Sequence, residues 1–356
     1  MAYTTIDDPS AHFQTALYTG NAGTNNIVND GNSDLQPDWV WTKNRSTSGK
    51  DHGLFDSSRG TTKQLNSNNA NAENTVSTSL TAFNSDGFTL GADGGPNANS
   101  DSHVAWQWKA NGGTTTTNSA GANGADHESV YQANDTAGFS IVTYTSDAQS
   151  GDTIIKHGLS TAPTFMIHKA RNADALWWVY HKDLTNDGYV QLDDTTSNQD
   201  GSTNVWRNTA PTSTVFKVGL DSIAAANGRT MVAYCFAPIQ GYSKFGSYTG
   251  NGSEDGPFVY LGFKPQWILF KNAGAAEEWV LQDTTRNPNN PVTKNIRVDS
   301  SIAEADASSI DIDFLSNGFK NRSDQAQVNS SGVTYIYMAF AEHPFVSSKG
   351  VPTTAR

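Results

Sequence analysis

Pro37-Asp38-Trp39-Val40-Trp41-Thr42-Lys43 has two counterparts further along the chain: Pro163-Thr164-Phe165-Met166-Ile167-His168-Lys169 and Pro265-Gln266-Trp267-Ile268-Leu269-Phe270-Lys271. Each opens on a proline, which a strand tolerates at its first residue, and closes on a lysine six positions later. Side chains alternate across a strand, so Trp39, Trp41 and Lys43 share one face and Val40 and Thr42 the other. The stretch therefore reads as a strand that occurs three times.

The match extends outward. Tyr18 precedes Pro37 by 19 residues, Tyr144 precedes Pro163 by 19, and Tyr248 precedes Pro265 by 17. Downstream lie His52-Gly53-Leu54-Phe55-Asp56, Trp177-Trp178-Val179-Tyr180-His181 and Trp279-Val280-Leu281-Gln282-Asp283. The first and third lead into Ser58-Arg59-Gly60 and Thr285-Arg286-Asn287, whereas the second departs with Lys182-Asp183-Leu184. Each copy closes on an aromatic run, ending at Trp108, Phe236 and Phe340. Residue types and offsets agree together, which marks an internal repeat.

The composition suits this reading. The 356 residues are 36% hydrophobic and 10% aromatic but only 16% charged. Asn, Asp, Gly and Ser favour turns over helices. With Val, Ile, Phe, Tyr and Trp in short runs, they predict an all-β chain. Residues 220–226 and 302–310 could each form a turn or two of helix. The expected architecture is three tandem antiparallel β-sandwich modules of the jelly-roll or lectin-like kind, at 13–110, 138–241 and 242–344. Residues 1–12 form an N-terminal arm, 111–137 a Gly/Asn/Thr-rich linker whose tract Asn111 to Asp126 reads as a flexible spacer, and 345–356 a C-terminal tail. The recurring aromatics are expected to fill three separate interiors.

The stretch Leu17-Tyr18-Thr19-Gly20-Asn21, Leu35-Gln36-Pro37-Asp38-Trp39-Val40-Trp41-Thr42-Lys43-Asn44-Arg45 and Phe83-Asn84-Ser85-Asp86-Gly87-Phe88-Thr89-Leu90-Gly91 resembles virion proteins of marine tailed bacteriophages. The ending Met338-Ala339-Phe340-Ala341-Glu342-His343-Pro344-Phe345 resembles theirs too. The resemblance implies a virion structural protein, as in tail fibres, appendages and head decorations. It carries no catalytic assignment. On this reading the chain is made in the host cytoplasm, resides in the virion, forms a homo-oligomer and contacts other virion proteins.

A net charge of −12 argues against nucleic acid, whose phosphates demand basic surfaces, and against an anionic membrane. No apolar stretch approaches the roughly 20 residues of a membrane span. Polar Met1 to Ser10 shows no secretory signal. The one cysteine, Cys235, lies in an apolar run and reads as a small core residue. The chain is not expected to be an enzyme. Gly-x-Ser-x-Gly and phosphate-loop signatures are missing, and Glu277-Glu278 reads as a solvated turn. A polysaccharide depolymerase, which needs two facing carboxylates, is the enzymatic alternative. His157, His168 and His181 match no metal spacing.

Two loops offer hard oxygen atoms. Asp30 and Asp34 flank one; Asp93, Asn97 and Asp101 punctuate the other. Solubilising turns are their default reading and calcium ligation the alternative. No other cofactor is expected. Most tryptophans occupy repeat positions and read as core, while Trp206 lies outside the pattern and is the candidate for an exposed contact with a host cell-surface glycan. Lys43, Lys169 and Lys271 read as stems packed over aromatics, with Arg45 and Arg171 two residues beyond the first two.

Overall fold

The structure, a computed structural model, describes residues 2–146, 153–200, 205–219, 226, 228–306 and 309–353. The chain is all-β, with antiparallel sheets throughout and one short 3-10 turn, Pro9–Ala11, as the helical element among the described residues. No helix among them is long and apolar enough to cross a membrane.

The three Pro-to-Lys stretches are strands, Trp39–Asn44, Phe165–Ala170 and Phe263–Asn272, and each sits inside a main sheet. In the first sheet the order is Phe13–Thr19, Ser102–Trp108, Trp39–Asn44, Gly53–Asp56. The second repeats it as Phe139–Thr145, Thr230–Phe236, Phe165–Ala170, Trp178–His181, and the third as Ser243–Thr249, Thr334–Pro344, Phe263–Asn272, Val280–Asp283. The registers agree: Trp41 lies opposite Trp106, Ile167 opposite Tyr234 and Leu269 opposite Met338.

The two faces of these strands have different partners, which is why the central strands are buried on both sides. The outward face packs on a smaller sheet. Val40 meets Ile27, Leu80, Phe88 and Leu90 in the first repeat, and separate clusters around Met166 and Ile268 serve the second and third. The inward faces meet one another. Trp39, Trp41, Trp106, Trp108, Phe165, Tyr234, Phe236, Trp267, Trp279 and Phe340 belong to a single cluster drawn from all three repeats. Trp39 stacks on Tyr234 at 4.4 Å, and Phe13 on Phe340 at 5.2 Å. Expecting three separate interiors was therefore incorrect: alternate residues of each repeat strand fill a peripheral core and a shared central one. Burying one tryptophan contributes about 4–6 kcal/mol, so seven in that cluster dominate its cohesion.

Two other expectations need revision. Residues 111–126 are not a spacer along their length, because Thr116–Asn118 is a strand there, and with Ser129–Asn134 from the rest of the 111–137 linker it extends the second main sheet. Among the described residues of 302–310 there is no helix; Ala305–Asp306 pairs with Lys294–Asn295 instead. The other helical candidate, 220–226, falls almost wholly outside the described residues, with Ala226 in coil. The arm and tail fold together: Ile6 enters the central cluster, and Ser348 donates to the Asp7 carboxylate.

Candidate functional site

Where the repeats meet, each closing lysine has the same task. Buried at the end of its strand, Lys43 donates to the carbonyls of Lys50 and Ser301, the latter in the third repeat. Lys169 donates to Ala175 and to Ala70 of the first repeat, and Lys271 to Glu277 and to Thr195 of the second. The links run first to third, third to second and second to first, so they close a ring. Lys169 and Lys271 also lie 5.8 and 5.7 Å from the rings of Trp177 and Trp279. Burial pushes all three ammonium groups down to about 8.

Ring nitrogens follow the same path. Trp177 Nε1 donates to the Asn66 carbonyl and Trp279 Nε1 to that of Gln191. In the first repeat His52 takes this place. Its Nδ1 accepts from Trp41, leaving Nε2 to donate to the Arg297 carbonyl at 3.0 Å.

Two junctions carry an additional ionic clamp. Glu73 receives Arg59 of its own repeat and Arg171 of the second, both at 2.9 Å. Glu304 receives Arg286 and, from the first repeat, Arg45. Behind them Asp56 holds Arg59 and Asp283 holds Arg286, with all four side chains fully buried. Each of these aspartates also accepts from the neighbouring repeat, Asp56 from Tyr234 and Asp283 from Trp106. Burial opposes ionisation of Glu73, yet Arg171 and Arg59 hold its carboxyl below the usual range.

The third junction, between the second and third repeats, replaces every member. Asn198 donates its backbone N–H to the Ala273 carbonyl, as Glu73 does to Arg171 and Glu304 to Arg45. By strand register, His181 and Leu184 stand where Asp56 and Arg59 stand in the first repeat. The junction is neutral at its centre. The sequence departure Lys182-Asp183-Leu184 marks it.

Beside that junction runs a groove of about 510 Å³. One wall is the edge strand Ser243–Thr249, the other is Phe258–Tyr260, and Lys182 and Asp183 close the end. Val259 points into the third repeat's core, so Phe258 and Tyr260 both point out, 47% and 48% exposed. Among the described residues they are the exposed aromatics, while all nine tryptophans are buried. Lys244 Nζ donates to the Tyr260 carbonyl and lies 5.5 Å from its ring. The Tyr337 ring packs close over Gly246, where a Cβ would stand 2.6 Å from its hydroxyl.

The groove contains none of the residues singled out from sequence. Trp206 is 1% exposed, packed edge-on to Tyr180 and His168, so it is not an exposed contact. Lying outside the repeat pattern did not mean lying outside a core. Asn97 is fully buried; its Nδ2 donates to Asn21, Gly23 and Gly91, and its Oδ1 accepts from Asn21 and Asn25. Asn329 makes the corresponding bonds in the third repeat, which identifies both as loop clamps. Asp101 accepts from Asn44, Asp93 from the Gly95 N–H, and Asp30 and Asp34 are exposed on the other loop. No three His, Cys, Asp or Glu side chains among the described residues group to hold a metal ion. His157, His168 and His181 are each buried with separate partners. Cys235 is buried in the second peripheral core, and burial pushes its thiol up to about 12. Two sequence signals mark parts of the groove without bringing them together: Phe258-Val259-Tyr260 places two rings on one side of a strand, and Lys182-Asp183 breaks the repeat.

No curated protein and no solved structure matches the chain. A family model does match, over residues 8–344, and so covers all three repeats: the chain belongs to the family described as a domain of unknown function, DUF7483.

Proposed function

We propose that the chain is a structural protein of a bacteriophage virion, a tail fibre, appendage or capsid decoration, that works by assembly and surface contact. We read it as three tandem sandwich modules of jelly-roll or lectin-like kind, closed into one body. The observation that carries the non-catalytic part is the ring of junctions. The three repeat lysines, and the carboxylates of Asp56, Asp283, Glu73 and Glu304, take part in contacts that hold one repeat to the next. Such a body resists shear and presents loops at its rim. The virion address rests on the sequence resemblance of residues 17–91 and 338–345. Homo-oligomerisation belongs to the same reading, since particle proteins act in symmetric sets.

Purified particles provide the test. Peptides from the chain should appear at a fixed copy number per particle, and its outline should fit density at a symmetry-related position. Particles that lack the chain after gradient purification would overturn the assignment.

A second reading, a lectin-like adhesin for host cell-surface glycans, is favoured by the groove with its pair of exposed rings. Binding of the chain to an array of host polysaccharides tests it, and a blank array removes it. The virion reading survives that result.

A further inference from the structure

We infer that the groove at the third junction binds an acidic oligosaccharide, with sugar faces on Phe258 and Tyr260 and a sugar carboxylate at Lys244 and Lys182. The inference rests on the glycan-binding reading and names its site and ligand class.

The first observation is the cost of the exposed rings. This chain buries its tryptophans without exception, yet leaves two adjacent aromatics half in water on one strand edge. Residues i and i+2 of a strand stand roughly 7 Å apart, so successive sugar rings can each take one aromatic face. The second is the shape. A groove of about 510 Å³ lies within the size range of small-ligand sites. A second copy of the chain would need an interface on the order of 1,000 Å², far more than two rings supply.

The third observation is the charge. Lys182 and Asp183 pair with each other. Lys244 makes its polar contact with a carbonyl and its ring contact with Tyr260. Two ammonium groups and one carboxylate thus line the groove of a chain whose net charge is −12. Burial, followed by repulsion from Lys182, lowers the Lys244 pKa. An incoming carboxylate relieves that repulsion. Ser247 and Asp183 on the walls can hydrogen-bond sugar hydroxyls. A neutral glycan would leave the surplus positive charge unanswered.

The test titrates the full chain with a hexagalacturonate and with cellohexaose, a neutral oligomer of equal length, by calorimetry. The wild-type chain should bind the acidic oligomer with a Kd on the order of 0.1 mM and prefer it over the neutral one by roughly tenfold. High salt should reduce that preference. The double variant Phe258→Ala/Tyr260→Ala should weaken both ligands by roughly tenfold or more. Lys244→Gln should abolish the preference by weakening the acidic oligomer more than the neutral one. Melting curves of both variants, recorded alongside, should stay close to the wild type, because Phe258 and Tyr260 are half exposed and Lys244 is only half-buried. Equal binding of the two oligomers overturns the acidic class and leaves glycan binding standing. Glycan binding indifferent to the ring variants overturns the site. No binding of either oligomer, or a concentration-dependent dimer dissolved by the ring variants, overturns the inference entirely.

Discussion

Removing one aspartate from a clamped junction should unfold the protein at distinctly lower denaturant. Asp56 has no exposure, nor has its partner Arg59. Its carboxylate accepts from Arg59 Nε, from the Arg59 backbone N–H at 2.8 Å and from the Tyr234 hydroxyl at 2.7 Å. Asp56→Ala leaves Arg59 buried with only Glu73 to balance it and strands the Tyr234 hydroxyl away from water. Breaking a buried pair by deleting one partner costs about 3–5 kcal/mol. With a guanidinium m-value of about 5 kcal/mol/M for a chain of this size, the unfolding midpoint should fall by about 0.6–1 M. Tryptophan fluorescence reports it directly, since seven tryptophans lie in the shared cluster. Asp255→Ala breaks the pair between Lys320 and a carboxylate that is 83% exposed, and should leave the midpoint unchanged. A fall below about 0.2 M, worth about 1 kcal/mol, would refute the reasoning and leave the aromatic cluster alone to hold the junctions.

Trp39→Ala should cost about 4 kcal/mol, because Trp39 packs at a tilt on Trp108 at 4.5 Å and stacks on Tyr234 at 4.4 Å, joining the first and second repeats; calorimetry should show one unfolding peak in the wild type and a split peak in the variant. Asn97→Ala should lower stability by about 2–3 kcal/mol, since it orphans several buried loop groups, whereas millimolar calcium should leave the wild-type melting temperature unmoved; a calcium-dependent rise would favour calcium ligation by the loops. Burial lowers His181 and His157 to about 4 and His168 to about 3. The unfolded chain therefore binds more protons than the fold below pH 6.5, and stability should fall as pH drops from 6.5 toward 4. Asp193 and Asp299, raised to about 6 by burial, oppose this below pH 6 because the fold then binds their protons more tightly. His181→Gln should flatten the acid limb of the stability curve, and an unchanged limb would contradict the burial argument.

Three properties of the chain were decided by its sequence alone. Turn-forming residues between short β-branched and aromatic runs specify an all-β chain. The Pro-to-Lys spacing locates the three central strands, and period-two alternation sorts Trp39 and Trp41 onto one face and Val40 onto the other. These are local or periodic features, and a linear pattern carries them. What the inward face packs against is a different matter. A tryptophan facing inward has the same pattern whether its partner belongs to its own repeat or to another. Only the tertiary structure shows Trp39 against Tyr234, Lys43 reaching Ser301 and Arg45 reaching Glu304. The same holds for Trp206 and Asn97, whose polar surroundings in sequence concealed complete burial. The groove likewise forms between residues far apart in sequence, Lys182, Phe258 and Tyr337 among them. Burial is a sum over neighbours from the whole chain, so no window of sequence contains it.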